Sequence, residues 1–158
     1  MAEGIGVVPM GGITNIGKFV QALGPQGRGI RLAGLCDAGE EPYVARSLHR
    51  VGLGNALTRE GRETLGFFVC EADLEDELIR ALGPSAVERV LDSEGELASF
   101  RRFQDQPAQR GRDPHAQLRR FMGARARRKV RYGALLVEAL ELERVPRALE
   151  LVLAYHRG

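Results

Sequence analysis

The segment "GFFVCEADLEDELIRALG", residues 66–83, decides the fold because it joins a short apolar run to a dense group of carboxylates. Phe67–Cys70 predicts a buried strand, and Asp73 is predicted to begin a helix that ends at Gly83-Pro84, a common helix terminus. Five of the seven residues that follow the strand are acidic. A strand that leads into a helix is typical of a parallel α/β sheet, and the acidic group either starts that helix or holds a cation.

Two apolar runs upstream predict further strands of the same kind. Ile5–Val8 precedes a helical segment at residues 15–23, and residues 29–37 ("GIRLAGLCD") precede an amphipathic helix at residues 40–53. A polar stretch then extends to Gly66. Short apolar strands that alternate with helices indicate a parallel sheet covered on both faces.

From Pro84 onward the sequence shows helical patterns and no strand pattern. Four helices are predicted, at residues 84–103, 113–126, 129–142 and 146–158. We therefore expect one α/β domain over residues 1–158. Residues 1–83 are expected to form a small, Rossmann-like parallel sheet flanked by helices, and residues 84–158 a helical, arginine-rich part.

The overall composition is that of a globular protein. The chain has 158 residues, of which 44% are hydrophobic and 28% charged, and its formal net charge is +2. That length suits one domain with its own core. No stretch approaches the ~18 apolar residues of a membrane span, and no signal peptide is evident, so a cytoplasmic protein without membrane contact is expected. Association into a homo-oligomer stays open.

The cysteines and histidines predict neither a metal site nor a catalytic site. Cys36 and Cys70 are 34 positions apart and each ends an apolar run, so we interpret them as small buried hydrophobic side chains. His49, His115 and His156 are scattered singly, which favours neither a histidine metal site nor a catalytic triad.

The ends of the three predicted strands carry the features from which a site is expected. The strands lead into a glycine-rich turn ("PMGGITNIG", residues 9–17), into Asp37, and into the acidic group. In parallel α/β sheets, ligands bind outside the carboxyl ends of the strands. The three features therefore fall on the edge of the sheet where chemistry is expected.

Glu75 is the anomalous member of the acidic group. The helical period of about 100° per residue places Glu75 within the apolar arc, whereas Asp76 and Glu77 fall on the predicted solvent face. A buried carboxylate needs an ionic partner, hydrogen bonds or a metal, because an isolated buried charge is very costly. Asp73 can reach the same place from the strand-to-helix junction, although Asp73 is also a good N-cap.

Asp37 follows the second predicted strand directly and has two interpretations. It either caps the next helix or contributes a carboxylate to a metal site. Clustered carboxylates without histidine or cysteine favour a hard cation, Mg²⁺ or Mn²⁺. The candidate metal ligands are therefore Asp37, Asp73 and Glu75.

Residues 101–131 are strongly basic. This segment has eleven basic residues against two acidic ones, the opposite of the strand ends. Arginine clusters bind phosphate backbones, although a solvated helix face gives the same pattern. The segment predicts non-specific DNA binding, for which the candidate residues are Arg119, Arg120, Arg127 and Arg128.

Lys129 is one of only two lysines, with Lys18, in a chain that otherwise uses arginine. It lies at the first turn of a predicted apolar helix face that also carries Tyr132 and Leu136. A lysine in that position either extends its ammonium to the solvent or directs it into a site that needs a compact positive charge.

Four ordered segments resemble the C-terminal TOPRIM domain of OLD-family (overcoming lysogenization defect) ATP-dependent endonucleases. They are residues 4–19, 32–41, 66–83 and 127–140. The resemblance implies cleavage of DNA with two divalent metals, and an ABC-type ATPase domain or subunit as partner. It also implies that Asp37 matches the first aspartate of a D-x-D strand end, that Asp73 and Glu75 match later D-L-E metal ligands, and that Lys129 matches a lysine near the scissile phosphate.

The chain departs from that family pattern at two places. Gly39 stands where the second aspartate is expected, so one metal ligand is absent or is supplied by Glu40 or Glu41. TOPRIM domains also begin with a strand that carries a V-E-G glutamate and then a helix, which Glu3-Gly4 matches only as a dipeptide. We therefore interpret the chain as a TOPRIM domain without its first strand–helix unit and without the ATPase, and expect weak or no activity.

Three other functions fit parts of the pattern. A non-catalytic module that binds DNA or a protein partner would keep the basic segment beside a degenerate acidic edge. A receiver-like phosphoacceptor domain also combines acidic strand ends with a lysine. Its lysine follows a late strand, however, whereas the strands predicted here end by Cys70. A dinucleotide-binding domain is the weakest of the three, because the glycines of residues 9–17 do not have the G-x-G-x-x-G spacing of a dinucleotide-binding turn.

Overall fold

The computed structural model describes residues 6–124 and 126–158, which divide into two compact units. The first unit contains residues 147–158 and the described part of residues 1–72, and the second unit contains residues 73–146 apart from residue 125. In chain order the elements are α1 (Ile16–Leu23), β1 (Gly34–Asp37), α2 (Glu41–Arg50), α3 (Arg59–Thr64), β2 (Phe67–Cys70), α4 (Leu74–Leu82), α5 (Pro84–Ser93), α6 (Leu97–Gln104), α7 (Pro114–Gly123), α8 (Ala126–Glu138) and α9 (Arg147–Arg157). Within these described ranges, no helix has both the length and the apolar character needed to cross a membrane.

The first unit is built on two parallel strands. β1 and β2 pair from Gly34 opposite Phe67 to Asp37 opposite Cys70, and the connection between them runs through α2 and α3. α9 packs on both strands, with the Tyr155 ring edge-on to Phe68 at 6.2 Å between ring centroids. The structure is therefore mixed α/β and mostly helical, which confirms the α/β prediction in its coarse form.

The core of the first unit is formed by side chains from α1, α2 and both strands. It includes Ile16, Val20, Cys36, Val44, Leu48 and Phe67. Cys36 and Cys70 are both buried and form no disulfide bond with each other, which confirms their interpretation as small hydrophobic side chains. Burial raises the pKa of the Cys36 thiol to about 11, so this thiol stays protonated at neutral pH.

The first predicted strand does not form within the residues that the structure describes. Gly6–Val8 is outside the sheet, and Val7 is 92% exposed; Ile5 lies outside the described residues. An apolar run becomes a strand only where a neighbouring strand pairs with its backbone. Residues 6–124 and 126–158 therefore contain two strands, where the sequence predicted three.

The second predicted strand is shorter than expected, with only its last four residues in β1. The backbone N–H of Gly29 donates to the carbonyl of Gly24 at 2.9 Å, and that of Ile30 donates to the carbonyl of Leu23 at 2.8 Å. These bonds tie the start of the run to the end of α1, so its backbone does not extend the sheet.

The described residues form two more α-helices than the sequence predicts. The predicted helix over residues 84–103 is two helices, α5 and α6, because Gly95 between them adopts φ +70°, a left-handed conformation that suits glycine. The polar stretch before Gly66 contains α3, whose N-cap Thr58 accepts a hydrogen bond from the backbone of Gly61 at 3.0 Å.

The second unit is made of helices α4–α8. α4 packs against α5, α7 and α8, and α7 also packs against α5, α6 and α8. Fully buried side chains from these helices form the core, among them Leu78, Phe100, Leu118, Tyr132 and Leu136. The packing of α4 against α7 and α8 brings the acidic group and the basic segment together within one unit.

Candidate functional site

The acidic group after β2 forms the start of α4. Asp73 is the N-cap, since its Oδ1 accepts a hydrogen bond from the backbone N–H of Asp76 at 2.8 Å. Glu75, Asp76 and Glu77 follow in the first turn, where carboxylates interact favourably with the positive end of the helix dipole. The capping interpretation of Asp73 is therefore confirmed.

The second oxygen of Asp73 is bound by an arginine from α7. Arg119 donates from Nε at 3.0 Å and from Nη2 at 2.5 Å to Oδ2 of Asp73. Both carboxylate oxygens of Asp73 are thus engaged, one by the backbone of α4 and one by a guanidinium. A cation that binds Asp73 has to compete with Arg119 for the same oxygen.

Glu75 and Lys129, the two anomalous positions of the sequence, lie together. Glu75 is 8% exposed, which confirms that it is directed inward, and Lys129 Nζ lies 3.4 Å from its Oε2. Tyr132 and Leu136 on the same face of α8 are fully buried, whereas 47% of the Lys129 side chain is exposed. The lysine therefore extends along the edge of the apolar face and places its ammonium at a buried carboxylate.

Asp76 is buried, so its predicted position on the solvent face is wrong. Its Oδ1 lies 2.8 Å from Nε2 of His115, its Oδ2 accepts a hydrogen bond from Arg80, and the residue is 9% exposed. The helical period described α4 alone, whereas α7 packs against α4. Burial raises the pKa of Asp76, but the hydrogen bonds with His115 and Arg80 outweigh this effect and hold the pKa below its usual range.

Asp76 gives the stability of the protein a dependence on pH. Its pKa is lower in the folded chain than the value of about 3.9 for an unfolded aspartate, so ionised Asp76 stabilises the fold above about pH 4, and this stabilisation is lost as the pH falls further. We expect Asp76→Asn to lower the free energy of unfolding near neutral pH by about 1–3 kcal/mol and to flatten its decline in acid. Urea unfolding followed by circular dichroism at a series of pH values measures both.

Asp92→Asn is the matched control for this measurement, because Asp92 is an exposed aspartate of α5 in the same unit. It is expected to leave the acid decline unchanged. Part of the decline should remain in Asp76→Asn, since a hydrogen bond from Arg59 also holds the pKa of Glu41 below its usual range. An acid decline identical in Asp76→Asn and the native chain would contradict the assignment.

Asp37 and its neighbours Glu40 and Glu41 lie in the first unit. The backbone N–H of Asp37 donates to the Glu40 carboxylate at 3.2 Å, and the two residues have the geometry of a capping box before α2. Glu41 binds Arg59 at 2.9 Å and also binds the buried Arg62. The fold thus gives Asp37, Glu40 and Glu41 structural roles, and their part in metal binding stays a prediction.

The four arginines predicted to bind DNA differ in their surroundings. Arg119 is held by Asp73, and Arg128 lies 3.0 Å from Glu96 with its guanidinium over the Phe121 ring. Arg120 and Arg127 are exposed. Part of the positive charge of the basic segment is therefore balanced by acidic partners within the second unit.

An open concavity of about 570 Å³ lies along α7 in the second unit. It is lined by three arginines, one aspartate and small residues: Arg112, Arg119, Arg120, Asp73, Ala116, Gly123 and Ala124. Three positive charges against one negative charge give this lining a formal charge of +2. The concavity therefore favours an anion.

The carboxylates of the second unit have the right chemistry for a hard cation. Mg²⁺ at phosphate-processing sites takes one or two carboxylates together with phosphate oxygens and waters. Asp73 and Glu75 supply two carboxylates within one helical turn. In the part of the chain that the structure describes, no group of three or more His, Cys, Asp or Glu side chains is arranged to hold a metal ion. Metal binding by Asp73 and Glu75 therefore stays a prediction.

His115 and Arg112 are site residues that the sequence analysis did not single out. His115 contacts Asp76 from 39 positions away, and Arg119 contacts Asp73 from 46 positions away. A signal existed in the helical spacing: His115 and Arg119 are four residues apart on α7, and Asp73 and Asp76 are three residues apart on α4. The sequence could therefore have predicted a pair of basic side chains on one helix face and a pair of acidic side chains on another. It could not have predicted that these two helices contact each other.

The chain was compared with protein-family models, with curated proteins and with solved structures, and none of the three comparisons found a match. The family resemblance inferred from the sequence therefore stays a prediction.

Proposed function

We propose that this chain is a metal-dependent DNA nuclease domain of the TOPRIM type of OLD-family endonucleases, with weak activity as it stands. The reaction is phosphodiester hydrolysis, in which water attacks phosphorus and a sugar oxygen leaves. The pairing of Glu75 with Lys129 carries the proposal, because it combines a buried carboxylate with an ammonium 3.4 Å away. The ABC-type ATPase partner and the cytoplasmic location rest on the resemblance and the composition.

Five residues of the second unit have a role in this proposal. Asp73 and Glu75 would hold Mg²⁺ or Mn²⁺, an ion that supplies positive charge and an activated water when bound. Lys129 neutralises charge that develops on the phosphate oxygens. Arg119 and Arg120 hold backbone phosphates and so fix the position of the DNA strand. The expectation that Asp37 is a further ligand rests on its position at the end of a predicted strand and on the resemblance.

A non-catalytic DNA-binding module is the second candidate, and the ion pairs favour it. Asp73 and Glu75 each contact a basic side chain of α7 or α8. The acidic first turn of α4 can therefore have a purely structural role, in which its carboxylates stabilise the basic helices α7 and α8 through ion pairs. Metal binding separates the two candidates, because a supporting role requires none.

Calorimetric titration with Mn²⁺ tests the proposed metal site. We expect the native chain to bind Mn²⁺ with a dissociation constant on the order of 10⁻⁴–10⁻³ M, in the range of the weakest oxygen-ligand cation sites. The affinity is low because the ion has to displace Arg119 and Lys129 from the two carboxylates. The double variant Asp73→Ala plus Glu75→Ala is expected to lose this binding.

A second double variant, Asp105→Ala plus Glu138→Ala, is the matched control for this titration. It removes the same charge from two exposed positions of the second unit and is expected to bind Mn²⁺ as the native chain does. Circular dichroism of each variant shows whether it is folded. If the native chain and the double variant of Asp73 and Glu75 bind Mn²⁺ equally, the proposed metal site is wrong. The non-catalytic DNA-binding module is then the favoured function.

A further inference from the structure

The concavity along α7 contains a negative charge of the protein itself. Asp73 lies among its lining residues and binds Arg119, which also lines it. We propose that the concavity binds a phosphate of the DNA backbone. In the absence of DNA, Asp73 is paired with Arg119, and the phosphate replaces the Asp73 carboxylate as the partner of this arginine. The inference rests on the proposed function, which identifies the phosphate as that of DNA. After the exchange, Oδ2 of Asp73 no longer binds Arg119 and can bind the cation of the proposed nuclease site.

The lining of the concavity suits a phosphate group of an extended ligand. Guanidinium groups bind phosphate through two parallel N–H donors, and three of them line one open surface. The Nε of Arg112 donates to the carbonyl of Ala108 at 2.8 Å, which orients this arginine. An open, positively charged concavity of this kind does not enclose a small molecule, whereas a nucleic-acid backbone can pass through it.

The contact between Asp73 and Arg119 is suited to exchange. The Arg119 side chain is 44% exposed, and ion pairs at such positions are weak because water and salt screen them. A phosphate offers acceptor oxygens to the same two donors of Arg119, Nε and Nη2, that bind the carboxylate of Asp73. Asp73 keeps its contact with the backbone N–H of Asp76 after the exchange, so α4 retains its N-cap.

Fluorescence anisotropy with a labelled DNA duplex tests the proposal, with EDTA present so that no divalent ion contributes. Asp73→Asn removes the competing charge and keeps the N-cap, since asparagine caps helices as well as aspartate. We expect this variant to bind the duplex about three- to fivefold more tightly than the native chain. The slope of log affinity against log salt should become steeper by no more than about 0.9, because salt also screens the competing Asp73 carboxylate in the native chain and so offsets part of the loss of affinity.

Two further variants make this result specific. In the Arg119→Ala background, Asp73→Asn is expected to add nothing, because the arginine for which the two anions compete is gone. Asp92→Asn removes one exposed negative charge from α5 and is expected to leave the salt slope unchanged. An equal gain in Asp92→Asn, or a gain that persists without Arg119, would overturn the proposal.

Calorimetry with inorganic pyrophosphate distinguishes the DNA backbone from a free phosphate compound. If Asp73→Asn gains affinity for pyrophosphate but none for the duplex, the assignment to DNA is wrong and the concavity serves a free phosphate. A gain for the duplex supports the assignment to DNA. Because these titrations contain no metal, their outcome is independent of whether the chain binds Mn²⁺ or cleaves DNA.

Discussion

Lys129→Ala is expected to abolish the Mn²⁺-dependent nicking of plasmid DNA by this chain, a loss on the order of 10²- to 10³-fold. Lys129 supplies the positive charge next to Glu75, at a distance of 3.4 Å, and removing an electrostatic group of this kind leaves the charge that develops on the phosphate without its partner. The native chain itself is expected to nick faintly with Mn²⁺ and little or not at all with Mg²⁺. A plasmid-nicking assay with each metal measures both effects.

Lys18→Ala is the matched control, since Lys18 is the other lysine of the chain and lies exposed on α1 in the first unit. Its nicking rate is expected to equal that of the native chain, which also excludes a contaminating nuclease if Lys129→Ala is inactive. Nicking that survives Lys129→Ala would contradict the catalytic role. A native chain that never nicks but still binds DNA would favour the non-catalytic module.

Phe100→Ala is expected to lower the free energy of unfolding by about 3–5 kcal/mol. Phe100 is fully buried on α6, and its ring lies 5.2 Å from that of Phe121 and 6.4 Å from that of Phe103, measured between ring centroids. The substitution removes this aromatic contact and leaves a cavity that the surrounding helices fill only in part. Urea unfolding followed by circular dichroism measures the change.

The expected loss is a large part of the total stability of a small domain, about 5–15 kcal/mol. Val130→Ala is the control, because Val130 is 78% exposed on α8 and its truncation should change the free energy of unfolding by less than about 0.5 kcal/mol. A cost for Phe100→Ala below about 1 kcal/mol would show that the aromatic cluster is not the core of the second unit.

The sequence by itself determined the elements whose signals are local. The apolar run Phe67–Cys70 is β2, Asp73 caps α4, and Gly83 ends α4 with a φ of +81° that favours glycine. The helical period was enough to direct Glu75 inward, and apolar neighbours were enough to bury both cysteines. Each of these features depends on residues within a few positions, so a single pass along the chain predicts it.

Only the tertiary structure decided which charges meet and which apolar runs become strands. Asp76 was expected to face solvent, but α7 packs against α4, and Asp76 is buried with His115 as its partner. Residues 29–33 have the composition of a strand, yet the N–H groups of Gly29 and Ile30 bind the end of α1. The two partners differ in range, because His115 lies 39 positions from Asp76, whereas the carbonyls that bind Gly29 and Ile30 belong to Gly24 and Leu23. In both cases a helical or strand period gives the direction of a side chain or a backbone group, but it does not give the partner, which is set by how the elements pack and how the chain turns.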